Sequence, residues 1–92
     1  MEKSFYRIIH KLRNEKELGE IFKITLTDNE REMIAERWKI FEALSRGLSQ
    51  REVARYVNCS VVTVTRGAKN YRNAKKKIDK YLLMVANSKP RK

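Results

Sequence analysis

The sequence predicts an all-α fold of about six helices, on three observations. The 92 residues hold only three glycines and one proline, so little interrupts a helix. Apolar side chains recur three and four residues apart, and strand-like alternation is missing. Two capping boxes, Thr or Ser followed three residues later by Glu, mark helix starts at Thr27 and Ser49. The length suits one small domain. A hydrophobic share of 41% against a charged share of 36% is enough for a compact core and too apolar for a disordered chain.

Phe5, Ile8, Ile9 and Leu12 take the i, i+3, i+4 and i+7 positions of one helix face. Leu18, Ile21 and Phe22 form a second, shorter stripe, and Gly19 reads as the weak point between the two. Thr27-Asp28-Asn29-Glu30 opens the third helix with acidic groups at the positive end of its dipole. That helix is predicted to run to about Arg46, with Gly47 just past its end. Ser49 and Glu52 start a fourth at Gln50, which reads to about Tyr56 and breaks at Val57-Asn58-Cys59. Asn58 is one of the few non-glycine residues that tolerate a left-handed turn. Ser60 caps the fifth helix, which continues through about Tyr71. Residues 75–85 close the fold, with Ile78, Tyr81, Leu82 and Val85 at helical spacing. The expected organisation is one helical domain over residues 1–86. Its core helices occupy about 2–46 and 75–86, a helix-turn-helix about 49–72, and residues 87–92 form a disordered basic tail.

Charge narrows the function. Lys and Arg number 22 against 11 Asp and Glu, a net +11. Residues 1–48 are nearly balanced, with ten basic and nine acidic side chains. Residues 49–92 carry twelve basic side chains and only two acidic ones, Glu52 and Asp79. A neutral scaffold followed by a strongly basic half points to a polyanionic partner, nucleic acid before anionic surfaces. No apolar run approaches the roughly eighteen residues of a membrane span, and the charged N-terminus holds no signal-peptide apolar block. Cys59 is the only cysteine and His10 the only histidine, far apart in sequence. Neither a disulfide framework, a metal site nor an enzymatic dyad is expected.

Residues 50–69, QREVARYVNCSVVTVTRGAK, carry the motif. Two helices meeting through a tight turn need a small residue where their axes cross, a turn-tolerant residue between them and apolar positions that lock them together. Ala54 is the small residue, Asn58 the turn, and Val53, Val57, Cys59 and Val64 the lock. The start of the second helix then presents Ser60, Val61, Val62, Thr63 and Thr65, short hydroxyls and methyls suited to base edges in a major groove. Two positions break the pattern. Gly67 stands where a bulky apolar residue is usual, either because another helix approaches closely or because a ligand needs the space. Arg37 lies near the centre of a stripe formed by Met33, Ile34, Ile40, Phe41 and Leu44. There it either snorkels to a nearby glutamate or faces an anion. Trp38 beside it reads as core or interface.

The stretch 26–72 resembles the tryptophan repressors of bacteria. The resemblance is carried by L-T-D-N-E-R-E at 26–32, Arg37, R-G at 46–47, S-Q-R-E at 49–52 and T-V-T-R-G at 63–67. It implies an intertwined homodimer that binds a palindromic DNA operator with L-tryptophan as corepressor, in the cytoplasm on the nucleoid. By the same resemblance the indole lies between Arg37 and Arg66, and the ligand carboxylate is held by Arg66 and Thr27. The ligand's amino group meets main-chain carbonyls near Ile24 and Leu26, and Gly67 leaves room for the ring. Asn70 replaces the family's usual serine beside the ligand. The matching DNA-binding positions are Gln50, Arg51, Val61, Val62, Thr63, Thr65 and Arg72. Ala54 replaces a lysine that usually contacts DNA, and the loop at Gly47–Ser49 is one residue shorter than in the best-known members. Two rival readings stand beside this one: a helix-turn-helix protein that needs no ligand, and a basic protein that binds nucleic acid without sequence preference.

Overall fold

A computed structural model describes residues 3–87. Six helices follow in order, α1 (Lys3–Lys11), α2 (Glu15–Thr25), α3 (Asp28–Ser45), α4 (Gln50–Val57), α5 (Val61–Asn73) and α6 (Lys75–Asn87). No strand occurs among the described residues, so the fold is all-α as expected. The chain divides into two compact units between Ile34 and Ala35, a boundary inside α3.

In the first unit, the rings of Phe5 and Phe22 stack with centroids 6.3 Å apart, yet neither α1 nor α2 buries a residue. The break between these helices is not at Gly19. That glycine lies inside α2, and a Cβ there would meet nothing within 4 Å. The chain breaks instead before Asn14, whose side chain accepts from the Glu17 N–H at 2.9 Å while the Glu17 carboxylate accepts from the Arg13 N–H at 2.7 Å. A cap of this kind stabilises a helix start by about 1 kcal/mol, and the penalty of one mid-helix glycine is of similar size and does not stop propagation. At the other end of α2, Arg31 donates to the carbonyls of Leu26 (2.8 Å) and Lys23 (3.3 Å) and pairs with Asp28. The capping box at Thr27 forms as predicted: the Glu30 N–H donates to Thr27 Oγ1, and the Thr27 N–H to Glu30 Oε1.

The second unit holds the core. Ile40, Ala43, Val53, Ala54 and Val64 form one buried cluster, ringed by Leu44, Leu48, Val57 and Cys59. Phe41, Tyr71 and Ile78 form another, flanked by Leu44, Ala74 and Leu82. Local signals place these side chains. Gly47 takes φ +86°, and the N–H groups of Gly47 and Leu48 return to the carbonyls of Leu44 and Ala43, closing α3 with a Schellman turn. Ser49 and Glu52 complete the second capping box at the start of α4. Asn58 adopts the left-handed conformation (φ 65°), and its N–H and that of Cys59 both donate to the Ala54 carbonyl. Ser60 caps α5 through the Thr63 N–H at 3.1 Å.

Only Ala74 separates α5 from α6, its N–H shared between the carbonyls of Asn70 and Tyr71. A chain of side-chain hydrogen bonds spans this corner. The Tyr71 hydroxyl donates to Asp79 Oδ1 at 2.6 Å, and the Lys75 ammonium donates to Asp79 Oδ2 at 2.7 Å. The two donors hold the Asp79 carboxyl below its ordinary pKa, and burial together with the Asp79 bond pushes the Tyr71 phenol up. Asn87, expected to open the tail, ends α6; the rest of that tail, residues 88–92, lies outside the described residues.

Candidate functional site

The helix-turn-helix is built as its residues predict. Val53 and Val64 are fully buried and Ala54 nearly so, which locks α4 and α5 through the Asn58 turn. What this leaves outside is the first turn of α5. Val61 and Val62 are exposed, Val62 at 63%, so the first turn of α5 presents two adjacent β-branched apolar side chains to solvent. The Thr65 hydroxyl lies 2.9 Å from both Gln50 Oε1 and the Val61 carbonyl, so two of the predicted DNA positions, one on each helix, orient each other. Thr63 is half-buried, its hydroxyl 2.9 Å from Ser60 Oγ, which gives it a part in the cap. Arg51 and Arg72 are exposed.

Sequence reasoning missed Lys69. Val62, Thr65, Lys69 and Arg72 are spaced three, seven and ten residues along α5 and therefore share one face. Helical arithmetic carried beyond the Gly67 position finds the lysine.

The predicted ligand residues fall in both units. In the first, Ile24 is 81% exposed and Leu26 half-buried, its carbonyl already accepting from Arg31. Thr27 is exposed, with its hydroxyl engaged in the α3 cap. In the second, Arg37, Arg66 and Asn70 are exposed. Arg37 therefore has water for its guanidinium, and the two ion pairs among the described residues involve neither it nor Arg66. Gly67 is buried because Ile40 packs onto it: a Cβ there would stand 2.9 Å from Ile40 Cγ2. Close approach of α3 accounts for that glycine in this structure. Trp38 meets Phe41 edge-on, with centroids 5.4 Å apart. Burial pushes the thiol of half-buried Cys59 up, with a further contribution from Glu36. Among the described residues no group of three or more His, Cys, Asp or Glu could hold a metal, and no helix is long and apolar enough to cross a membrane.

Known proteins share this sequence pattern. The sequence profile of the family described as Trp repressor protein matches residues 2–85. The chain belongs to the Trp repressor family. Among its relatives, a Trp operon repressor homolog of Chlamydia trachomatis serovar D is 36% identical over 77 residues, covering 83% of this chain and 78% of its own. The homolog of Chlamydia trachomatis serovar L2 is 36% identical over 66 residues, 71% of this chain and 70% of its own. That of Chlamydia caviae is 36% identical over 76 residues, 82% of this chain and 71% of its own. No solved structure matches the chain with significance. The Trp repressor match takes in all of α1 to α5 and most of α6, beyond the stretch 26–72 that carries the motifs.

Proposed function

We propose that this chain is a transcriptional repressor that binds operator DNA as a homodimer and takes L-tryptophan as its corepressor. The observation that carries the reading is the α4–α5 pair, where Val53 and Val64 of the apolar lock are buried and Val57 and Cys59 pack against them, while Val61, Val62, Thr65, Arg51 and Arg72 stay outside for base edges and phosphates. Family membership and the repressor names of the relatives support it. In this reading the Arg37 and Arg66 guanidinium planes stack on the indole, and Arg66 and Thr27 take the carboxylate. Carbonyls near Ile24 and Leu26 take the ammonium, and Gly67 and Asn70 lie beside the ring.

Dimerisation is supported by what one chain leaves uncovered. Ile8, Ile24, Met33 and Ile34 in the first unit are exposed, as are Leu83, Met84 and Val85 on α6. Light scattering at micromolar concentration is expected to give twice the 11.0 kDa chain mass. A monomer of that mass across the folding transition overturns the dimer.

One observation favours the ligand-independent helix-turn-helix as a second reading: Ile40 fills the space that Gly67 makes, so the glycine needs no ligand to explain it. Calorimetric titration with L-tryptophan, paired with binding to operator-like and scrambled duplexes, separates the two. Saturable heat and a tryptophan-dependent gain on the operator-like duplex are expected. No heat with selective DNA binding supports the ligand-independent reading, and equal binding to both duplexes overturns sequence-specific recognition.

A further inference from the structure

We infer that Lys69, Lys76, Lys77 and Lys80, together with Arg72, form a phosphate track that grips the DNA backbone beside the bases met by the start of α5. This rests on the DNA-binding reading and extends it to α6, which the helix-turn-helix does not include.

The acids of this half are already engaged. Residues 49–92 hold two carboxylates against twelve cations. Glu52 is held by Ser49 in the α4 capping box, which lowers its pKa. Asp79 is held by Tyr71 and Lys75. None of the five cations of the track enters an ion pair among the described residues.

The lysines of α6 share the side of the helix turned from this chain's core. They lie in its N-terminal half, ahead of Leu83 and Met84, which lie on the same side and belong to the surface proposed for the dimer. At 100° per residue, Lys76, Lys77 and Lys80 lie opposite Ile78 and Leu82, which pack in the Phe41–Tyr71 cluster. All three are exposed. The first turn of α6 contains lysines and no acid, the unfavourable arrangement for a helix dipole. Lys76 and Lys80 also repel each other at i, i+4. Helix stability does not explain these charges, and a polyanion does. Lys75 plays a different part, because by holding Asp79, to which Tyr71 also donates, it fixes the start of α6 against the end of α5.

From Thr65 to Arg72 the α5 axis advances about 10 Å. With the start of α5 at the base edges, Lys69 and Arg72 lie farther along the helix, toward the DNA backbone. Only Ala74 then separates this end of α5 from the lysines of α6.

The test uses the full chain and a random-sequence duplex of about 30 base pairs, with affinity measured by anisotropy across a salt series. The triple variant Lys76→Gln/Lys77→Gln/Lys80→Gln is expected to make the log–log salt slope shallower by about 5 per bound dimer, near 0.9 for each of the six phosphates no longer neutralised. Its melting temperature is expected to hold or rise. A charge-matched control, Lys3→Gln/Lys11→Gln/Lys16→Gln, removes three exposed lysines of α1 and α2 and is expected to leave the slope near wild type. An unchanged slope in the α6 variant, or an equal change in the control, overturns the track while leaving DNA binding by the helix-turn-helix intact. A wild-type chain that binds no duplex at low salt overturns the DNA-binding reading itself and the track with it.

Discussion

Gly67→Val is expected to destabilise the fold by about 2–3 kcal/mol, in the upper range for overpacking a core. The added Cβ would stand 2.9 Å from Ile40 Cγ2 and 3.6 Å from Cδ1 before the two γ-methyls are counted. Ile40 cannot step aside, because it is 1% exposed in one cluster with Val53 and Val64, which are fully buried. Removing a mid-helix glycine returns only a few tenths of a kcal/mol for valine. Urea unfolding reads the loss as a lower midpoint at unchanged m-value. A second pair of variants identifies the contact: Gly67→Ala is expected to be milder, and Ile40→Leu, which deletes the Cγ2 branch, is expected to restore part of what the alanine costs. If Gly67→Val is as stable as wild type but loses tryptophan binding, the position is a ligand slot and the packing account fails.

What the residues disclose in advance is mostly local. Thr27 with Glu30, Ser49 with Glu52, and Asn58 each act within four residues, and each does in the structure what its neighbours predict. The break expected at Gly19 falls elsewhere although its true signal lies close by. Asn14 with Glu17 has the same spacing as Thr27 with Glu30, with asparagine as the cap and the glutamate returning to the N–H of Arg13, one residue before the cap. Such a cap outranks an isolated glycine as a helix boundary. Gly67 could not be resolved from sequence, since its two explanations differ only in whether a side chain on α3 covers it. In the structure Ile40 covers it, from a distant part of the chain. The Tyr71–Asp79–Lys75 arrangement was hidden for a related reason: Tyr71 and Asp79 meet across the Ala74 break, where the periodicity of a single helix no longer tells which side chains are neighbours.

Arg66→Ala is expected to abolish the response to tryptophan while leaving weak, ligand-independent DNA binding at low salt. Arg51→Ala is expected to do the reverse. The two arginines stand on adjoining helices of one motif, α5 and α4, and both are exposed. Neither enters the two ion pairs found among the described residues, so truncation strands no buried charge and an unchanged helical signal and melting curve are expected for both. Their surroundings differ. Arg66 directly precedes Gly67, where its fork can take a carboxylate and its plane a ring, and losing a charge-assisted pair there costs about 1.5–3 kcal/mol of ligand affinity. Arg51 lies in the first turn of α4, beside Gln50, whose side chain is tied to Thr65 on the face of α5 that carries Val62. Its expected contact is with guanine or phosphate, and its loss is expected to cost about 1–3 kcal/mol of operator affinity with tryptophan binding near wild type. Calorimetry with the ligand and anisotropy with the duplex read the two losses separately. If Arg66→Ala binds tryptophan as tightly as wild type, the ligand is not held by this arginine, and a repressor that works without tryptophan becomes the better account.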